Sequence, residues 1–393
     1  MVKFGLDVFT RQIPFPLRGK RIGLVCHAAS VMSDYTHAIY ALKSHPDLRL
    51  AAVFGPQHGL FGQTQDNMIE WEGGVDPVLG IPVYSLYGMV RKPTPRMLAG
   101  LDALVFDIQD VGARPYTYIW TLKLCMEACQ ENGISVWVLD RPNPVGCIGT
   151  DGPVLSAEYF SFVGGATIPL CHRLTMGEMA VLLQREFFPS LELNVVWMEN
   201  WWRNSFWPQT GLPWVLPSPN MPTPDTAAVY PGMVLLEATN MSEGRGTTRP
   251  FELIGAPYFD AGAVREILAG EKLEGCYFRE HGFIPTFQKW KGEYCGGMQV
   301  HVTDLRRFSP VLVTVAILLA VKKSAGSHFK FKDPPYEYEA EKMPFDILAG
   351  SCDLRRAIEA GTPLSEIRES WVGGHKNFKE VFESLARYPE ERE

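Results

Sequence analysis

ALVFDIQDVGARPYTYIWTLKLCMEACQENGISVWVLD, residues 103–140, holds two apolar runs with an amphipathic stretch between them. Residues 103–110 read as a strand, 117–133 as a helix closed by Gly133, and 135–140 as a second strand. Strands apolar throughout are buried on both faces, and a helix joining two of them brings them together in parallel. The pattern extends both ways. Upstream, 21–27 and 48–54 read as strands with a helix over 36–45 between them; downstream, 176–188 reads as a helix and 193–198 as a strand. The expected fold class is therefore α/β: a Rossmann-like, mostly parallel sheet domain over residues 1–250, with a second, smaller α/β domain over 251–393 closing a cleft. In the latter, 259–270 and 311–323 read as helices, 297–304 as a strand, and 352–388 as two or three charge-rich helices. After the proline-rich passage LPWVLPSPNMPTPDT (212–226), Asp225 is well placed to N-cap a helix.

Composition narrows the function. The chain has 393 residues, is 46% hydrophobic and 21% charged, and carries a net charge of -7. That mild acidity offers no basic face for nucleic acid. Eight cysteines without a CxxC pair read as reduced thiols. The first twelve residues lack the apolar core of a signal peptide, and the run VLVTVAILLAVKK from Val311 reads as a buried helix rather than a membrane span. A cytoplasmic location is expected on these grounds. Aromatics reach 12%, with 10 Trp and 30 Pro, a supply that serves sugar-stacking loops or large cores equally well.

In parallel sheets ligands sit beyond the carboxyl ends of the strands. Three polar loops fall there: GPQHG (55–59), QDVGARPYTY (109–118) and DRPNPVG (140–146). The first carries Gln57 and His58. At the start of the second, Asp107 and Asp110 in DIQD (107–110) suggest either a hard cation or a structural part, capping the next helix or pairing with Arg114. A further loop, SEGRGTT (242–248), sets Glu243 among glycines that allow close backbone approach to a ligand, with Arg245 and Arg249 near in sequence. It lacks the spacing of a phosphate loop. No G-x-S-x-G elbow and no G-x-G-x-x-G follow the strands, which argues against a hydrolase triad and a dehydrogenase.

Taken in order, FGPQHGLFG, DPVLGIPVYSLYG, KPTPRMLAGLDALVFDIQDVGARPYTY, LDRPNPVG, PSPNMPTPDTAAVYPG and TNMSEGRGTTRPFELIGAP resemble the exo-β-N-acetylmuramidases of the NamZ type, as do PFDILAGS (344–351) and RESW (368–371). The resemblance implies a Rossmann-like domain and a smaller one with a cleft between them. It also implies release of N-acetylmuramic acid from the non-reducing end of peptidoglycan fragments without a cofactor. The family's carboxylates stand in an S-P-E-H-G block and an N-x-S-E-G-R-G-T block. The second gives Glu243 here, as the acid. In the first, Gln57 stands where the family usually has Glu, leaving it to orient the sugar's own 2-acetamido group, which can attack the anomeric carbon. Asp66, Glu70 or Glu72 could replace the lost carboxylate, and His27 stands where an Asn is common. The alternative is a non-catalytic or altered-specificity amino-sugar-binding relative, because Gln57 replaces the family's usual Glu. His58, Asp107, Asp110, Arg114, Tyr116, Asn220 and Asn240 are expected to bind the sugar. Arg245 first, and Arg249 second, would grip the lactyl carboxylate with paired hydrogen bonds.

Overall fold

Strand, helix and strand follow one another through 103–140 as the pattern predicts. The computed structural model describes residues 2–66 and 68–392. Ala103–Asp107 and Ser135–Leu139 pair in parallel, joined by the helix Tyr118–Asn132. Gly133 ends that helix at φ 65°, a left-handed turn that glycine enters without a Cβ penalty.

The strands in chain order are β1 (Arg21–Cys26), β2 (Arg49–Gly55), β3 (Gly74–Val75), β4 (Pro82–Ser85), β5 (Ala103–Asp107), β6 (Ser135–Leu139), β7 (Asp151–Val154), β8 (Pro169–Cys171), β9 (Leu193–Val196), β10 (Leu253–Ala256), β11 (Cys276–Glu280) and β12 (Gly296–Val302). Seven form one sheet in the order β3-β4-β2-β1-β5-β6-β9, parallel except for the edge pair β3 and β4. The chain builds outward from β1 through β2, then returns to the other side of β1 with β5. That reversal is the switch point where the loops diverge and leave a crevice. The loops after β2 and β5 flank it.

A three-stranded antiparallel sheet, β10-β12-β11, follows, while β7 and β8 form a two-stranded one. The helix Pro310–Ala325 lies against the helix Pro224–Met233. One continuous apolar core runs from Phe54 and Phe106 under the large sheet, through Tyr230, to Val315 and Phe345. Residues 310–328 are apolar and long enough by composition to cross a membrane, but that helix is mostly buried within the protein. The C-terminal stretch forms three helices, Asp353–Ala360, Leu364–Ser370 and Val372–Leu385.

Asp225 is not the N-cap. Thr223 caps the helix, accepting from the Thr226 amide at 3.2 Å. Pro224 occupies the first helical position, where its fixed φ suits it, so the cap falls one residue earlier and Asp225 lies in the first turn. All eight cysteines are free thiols, six of them buried.

Candidate active site

The loop after β2 turns sharply, with His58 at φ 69°. The His58 Nδ1 lies 2.8 Å from the Thr64 carbonyl, so Nδ1 carries the proton and Nε2 is bare. Burial pushes its pKa down to about 4, which keeps the ring neutral. Gln57 is buried beside it. Its Oε1 accepts from the Thr117 hydroxyl at 2.7 Å. Thr117 stands at the N-terminus of the Tyr118–Asn132 helix, and its hydroxyl serves Gln57 rather than capping that helix.

Tyr116 lies edge-on to Tyr118 and to Tyr230, with ring centroids 4.8 and 5.5 Å away. These rings, with Phe251, wall a narrow pocket that Gln57, His58, Asn220, Glu237, Arg245, Tyr336 and Glu337 complete. Its volume is about 40 Å³. Asn220 is tied to the Gln65 carbonyl at 2.7 Å. A larger cavity, about 670 Å³, opens by Trp197, Trp201 and Trp202 with Arg387 and Arg392. It has no carboxyl among its lining residues and offers no acid or base.

Three buried glutamates differ in their partners. Glu237 accepts from Arg245 Nη2 at 2.7 Å and from the Tyr336 hydroxyl at 2.8 Å. Glu243 faces Lys289 Nζ at 2.6 Å and Arg245 Nε at 3.3 Å. Burial pushes its pKa up, but Lys289 and Arg245 outweigh that and hold it below the usual carboxylate range. Glu337 has no ion-pair partner among the described residues. Its Oε2 accepts from the Tyr87 hydroxyl at 3.0 Å, and its Oε1 receives a looser contact from Gln57 Nε2 at 3.4 Å. Burial, with the nearby charge of Glu237, raises its pKa to about 7.

Of the residues singled out from the sequence, Gln57, His58, Tyr116, Asn220 and Arg245 converge on the pocket. Others do not. Glu243 sits behind Arg245 as an ion-pair partner, outside the pocket lining, which suits it to fixing the guanidinium rather than to donating a proton. The glycine beside it, Gly244, approaches protein and not a ligand: at φ 77°, a Cβ there would meet the Leu253 carbonyl oxygen at 2.3 Å. Asp107 is paired with Arg141 through contacts of 2.6 and 2.8 Å, completely buried. Arg114 is not its partner. The Arg114 guanidinium donates to the carbonyls of Pro153, Ile168 and Leu348, stitching three segments together. Asp110 accepts from the Gly112 amide at 2.7 Å and closes that turn, with burial raising its pKa to about 7. Asn240 bonds the His328 carbonyl and the Tyr258 hydroxyl. Arg249 is half-exposed beside Glu252 at 3.4 Å.

The proposed stand-ins for a lost carboxylate also lie elsewhere. Asp66 bonds Gln288, Glu70 accepts from the Tyr338 hydroxyl at 3.3 Å, and Glu72 is exposed. His27 is buried at the end of β1, edge-on to Tyr118 at 5.1 Å, with its pKa lowered to about 3 by burial. Sequence reasoning missed Glu237, Lys289 and Glu337. The available signal for Glu337 was PPYEYE (334–339), a proline pair framing alternating tyrosines and carboxylates far from any strand end.

A parallel-sheet half and a half of helices around a small antiparallel sheet, sharing one core and contributing to one pocket of tyrosines and buried carboxyls, define a two-part α/β protein with a polar pocket. The comparisons place it within that class. Residues 22–225 match the description "Exo-beta-N-acetylmuramidase NamZ, N-terminal" and residues 228–388 its C-terminal counterpart. The chain belongs to this family. It is 44% identical, over 94% of its length and 87% of the relative's, to the peptidoglycan beta-N-acetylmuramidase NamZ of Bacillus subtilis (strain 168). Two crystal structures of DUF1343 family proteins from Bacteroides fragilis NCTC 9343 share the fold. One has a TM-score of 0.88 at 34% identity, covering 98% of this chain and 99% of the other; the second has 0.79 at 26% identity, with both chains covered in full.

Proposed function

We propose that this protein is a glycosidase that releases N-acetylmuramic acid from the non-reducing end of peptidoglycan fragments. The observation that carries the reading is the pair of buried carboxyls in one pocket, Glu237 tied to a guanidinium and Glu337 tied to none. Glycosidases work with carboxyl groups set close to the scissile bond. The B. subtilis relative, by its name, acts on the same bond class. Gln57 does not leave the pocket without a proton donor, since Glu337 reaches it from the other half. That disfavours a purely sugar-binding role.

Arg245 is the cation that meets the lactyl carboxylate. Its Nη2 donates to Glu237 and its Nε lies 3.3 Å from Glu243, so the guanidinium is held in place before substrate arrives. A hexose ring is larger than the present pocket, so the pocket widens when substrate enters. The test is hydrolysis of 4-nitrophenyl N-acetylmuramide and of the matching N-acetylglucosaminide by the full chain. Release is expected from the first and much less from the second. Binding of the muramide without release of either product rules the reading out.

A further inference from the structure

Glu337 enters the pocket on a hairpin and not on a sheet loop. Tyr336 and Glu339 exchange both backbone hydrogen bonds, at 2.8 and 2.9 Å. Glu337 and Tyr338 are thus the two central residues of a two-residue hairpin loop, with φ of 43° and 69°. Such loops normally carry Asn-Gly, because a side chain with a Cβ is strained at positive φ. Two non-glycine residues persist there only if their surroundings hold them. Tyr338 supplies the hold: the Arg91 guanidinium lies 3.8 Å from its ring centre, and Tyr87 packs edge-on at 5.9 Å. Across the pocket, His58 is also at positive φ. Backbone strain on both sides of one cavity, with Glu337 lining it from one side and His58 from the other, marks a working site.

The groups around the Glu337 carboxyl are equally selective. Tyr87 and Gln57 donate to it, Glu237 lies near enough to repel its charge, and Arg245 is near enough to offset that only partly. We propose that Glu337 is the catalytic general acid of this protein, donating its proton to the departing glycosidic oxygen while Gln57 steadies its carboxyl. This assignment rests on the glycosidase reading above and deepens it. The proton passes from Glu337 to the glycosidic oxygen. The bond from that oxygen to C1 breaks, its electron pair leaving with the aglycone, and the carbonyl oxygen of the sugar's 2-acetamido group bonds to C1. Water then attacks C1, returns a proton to the Glu337 carboxylate and restores the acetamido group as N-acetylmuramic acid departs. One protonatable carboxyl suffices for this route. A glutamine at position 57 also has a reason: a glutamate there would set two carboxyls side by side, sharing one proton.

The experiment compares the full-length protein with Glu337→Gln on two substrates that differ in leaving group, 4-nitrophenyl N-acetylmuramide and an N-acetylmuramyl-N-acetylglucosamine disaccharide. Loss of a general acid costs roughly two to four orders of magnitude in kcat where the leaving group needs a proton. The disaccharide should suffer that loss and the nitrophenyl substrate much less. The fall of kcat as pH rises past about 7 should vanish in the variant. In Gln57→Glu, which keeps Glu337, the same fall should move to higher pH. Equal losses on both substrates in a folded Glu337→Gln protein, or an unmoved pH limb in Gln57→Glu, overturns the assignment alone. Failure of the unmodified protein to release N-acetylmuramic acid from either substrate overturns the glycosidase reading, and the assignment with it.

Discussion

Glu243 and Glu337 are both buried glutamates serving one pocket, and their surroundings are opposite. Glu243 is held between Lys289 and Arg245, whereas Glu337 meets a tyrosine hydroxyl, an amide and the field of another glutamate. The first is an ionised strut. The second holds a proton near neutral pH. Burial alone raises the pKa of either, so the difference comes from cations in direct contact with one and only at a distance from the other. Proximity in sequence to arginines and glycines made Glu243 look reactive, yet Lys289, brought in by the fold, and Arg245 remove it from proton transfer.

The sharpest test of this contrast is stability. Glu243→Gln leaves Lys289 and Arg245 buried with their charge balance broken, and removing one member of a buried ion pair costs about 3–5 kcal/mol. Urea unfolding at pH 7 should show that loss for Glu243→Gln and none for Glu337→Gln. Similar midpoints for the two variants would erase the distinction.

A second test uses pH. The folded-state pKa of Glu337 is raised to about 7 by burial, above the ordinary value near 4.5. The folded protein therefore holds a proton that the unfolded chain releases between those values. Its contribution is full below about 4.5 and is lost as pH rises through about 7. The neutral histidines His27 and His58 work the other way, since their lowered pKa values disfavour folding as pH falls. Subtracting the Glu337→Gln unfolding curve from that of the unmodified protein isolates the glutamate. The variant should gain relative stability from pH 5 to pH 8, and a flat difference would count against a protonated Glu337.

Smaller still is Thr117→Val, which removes the 2.7 Å bond that orients Gln57. It should cost about 1 kcal/mol in stability and lower kcat a few-fold, with melting curves and steady-state rates as the readout. At the bottom lies Arg249→Ala. Its half-exposed pair with Glu252 predicts a change within about 0.5 kcal/mol and no change in preference for the muramide. A selective loss of muramide turnover would return Arg249 to the site and weaken the case for Arg245.

The amino-acid sequence by itself determined the sheet, the family and half of the pocket. Alternating apolar runs and amphipathic stretches obey local periodicity, and Gly133 closes its helix by a rule that spans one turn. The loop bearing Gln57 and His58 follows from its place at a strand end. Tertiary structure alone decided which charges meet. Glu243 meets Lys289 from 46 residues away, Asp107 meets Arg141 rather than Arg114, and Glu337 reaches Gln57 across 280 residues. Proton affinity depends on burial and on what lies within a few ångströms in space. No local pattern carries that information, because the groups that set it come from segments that only the completed fold brings together.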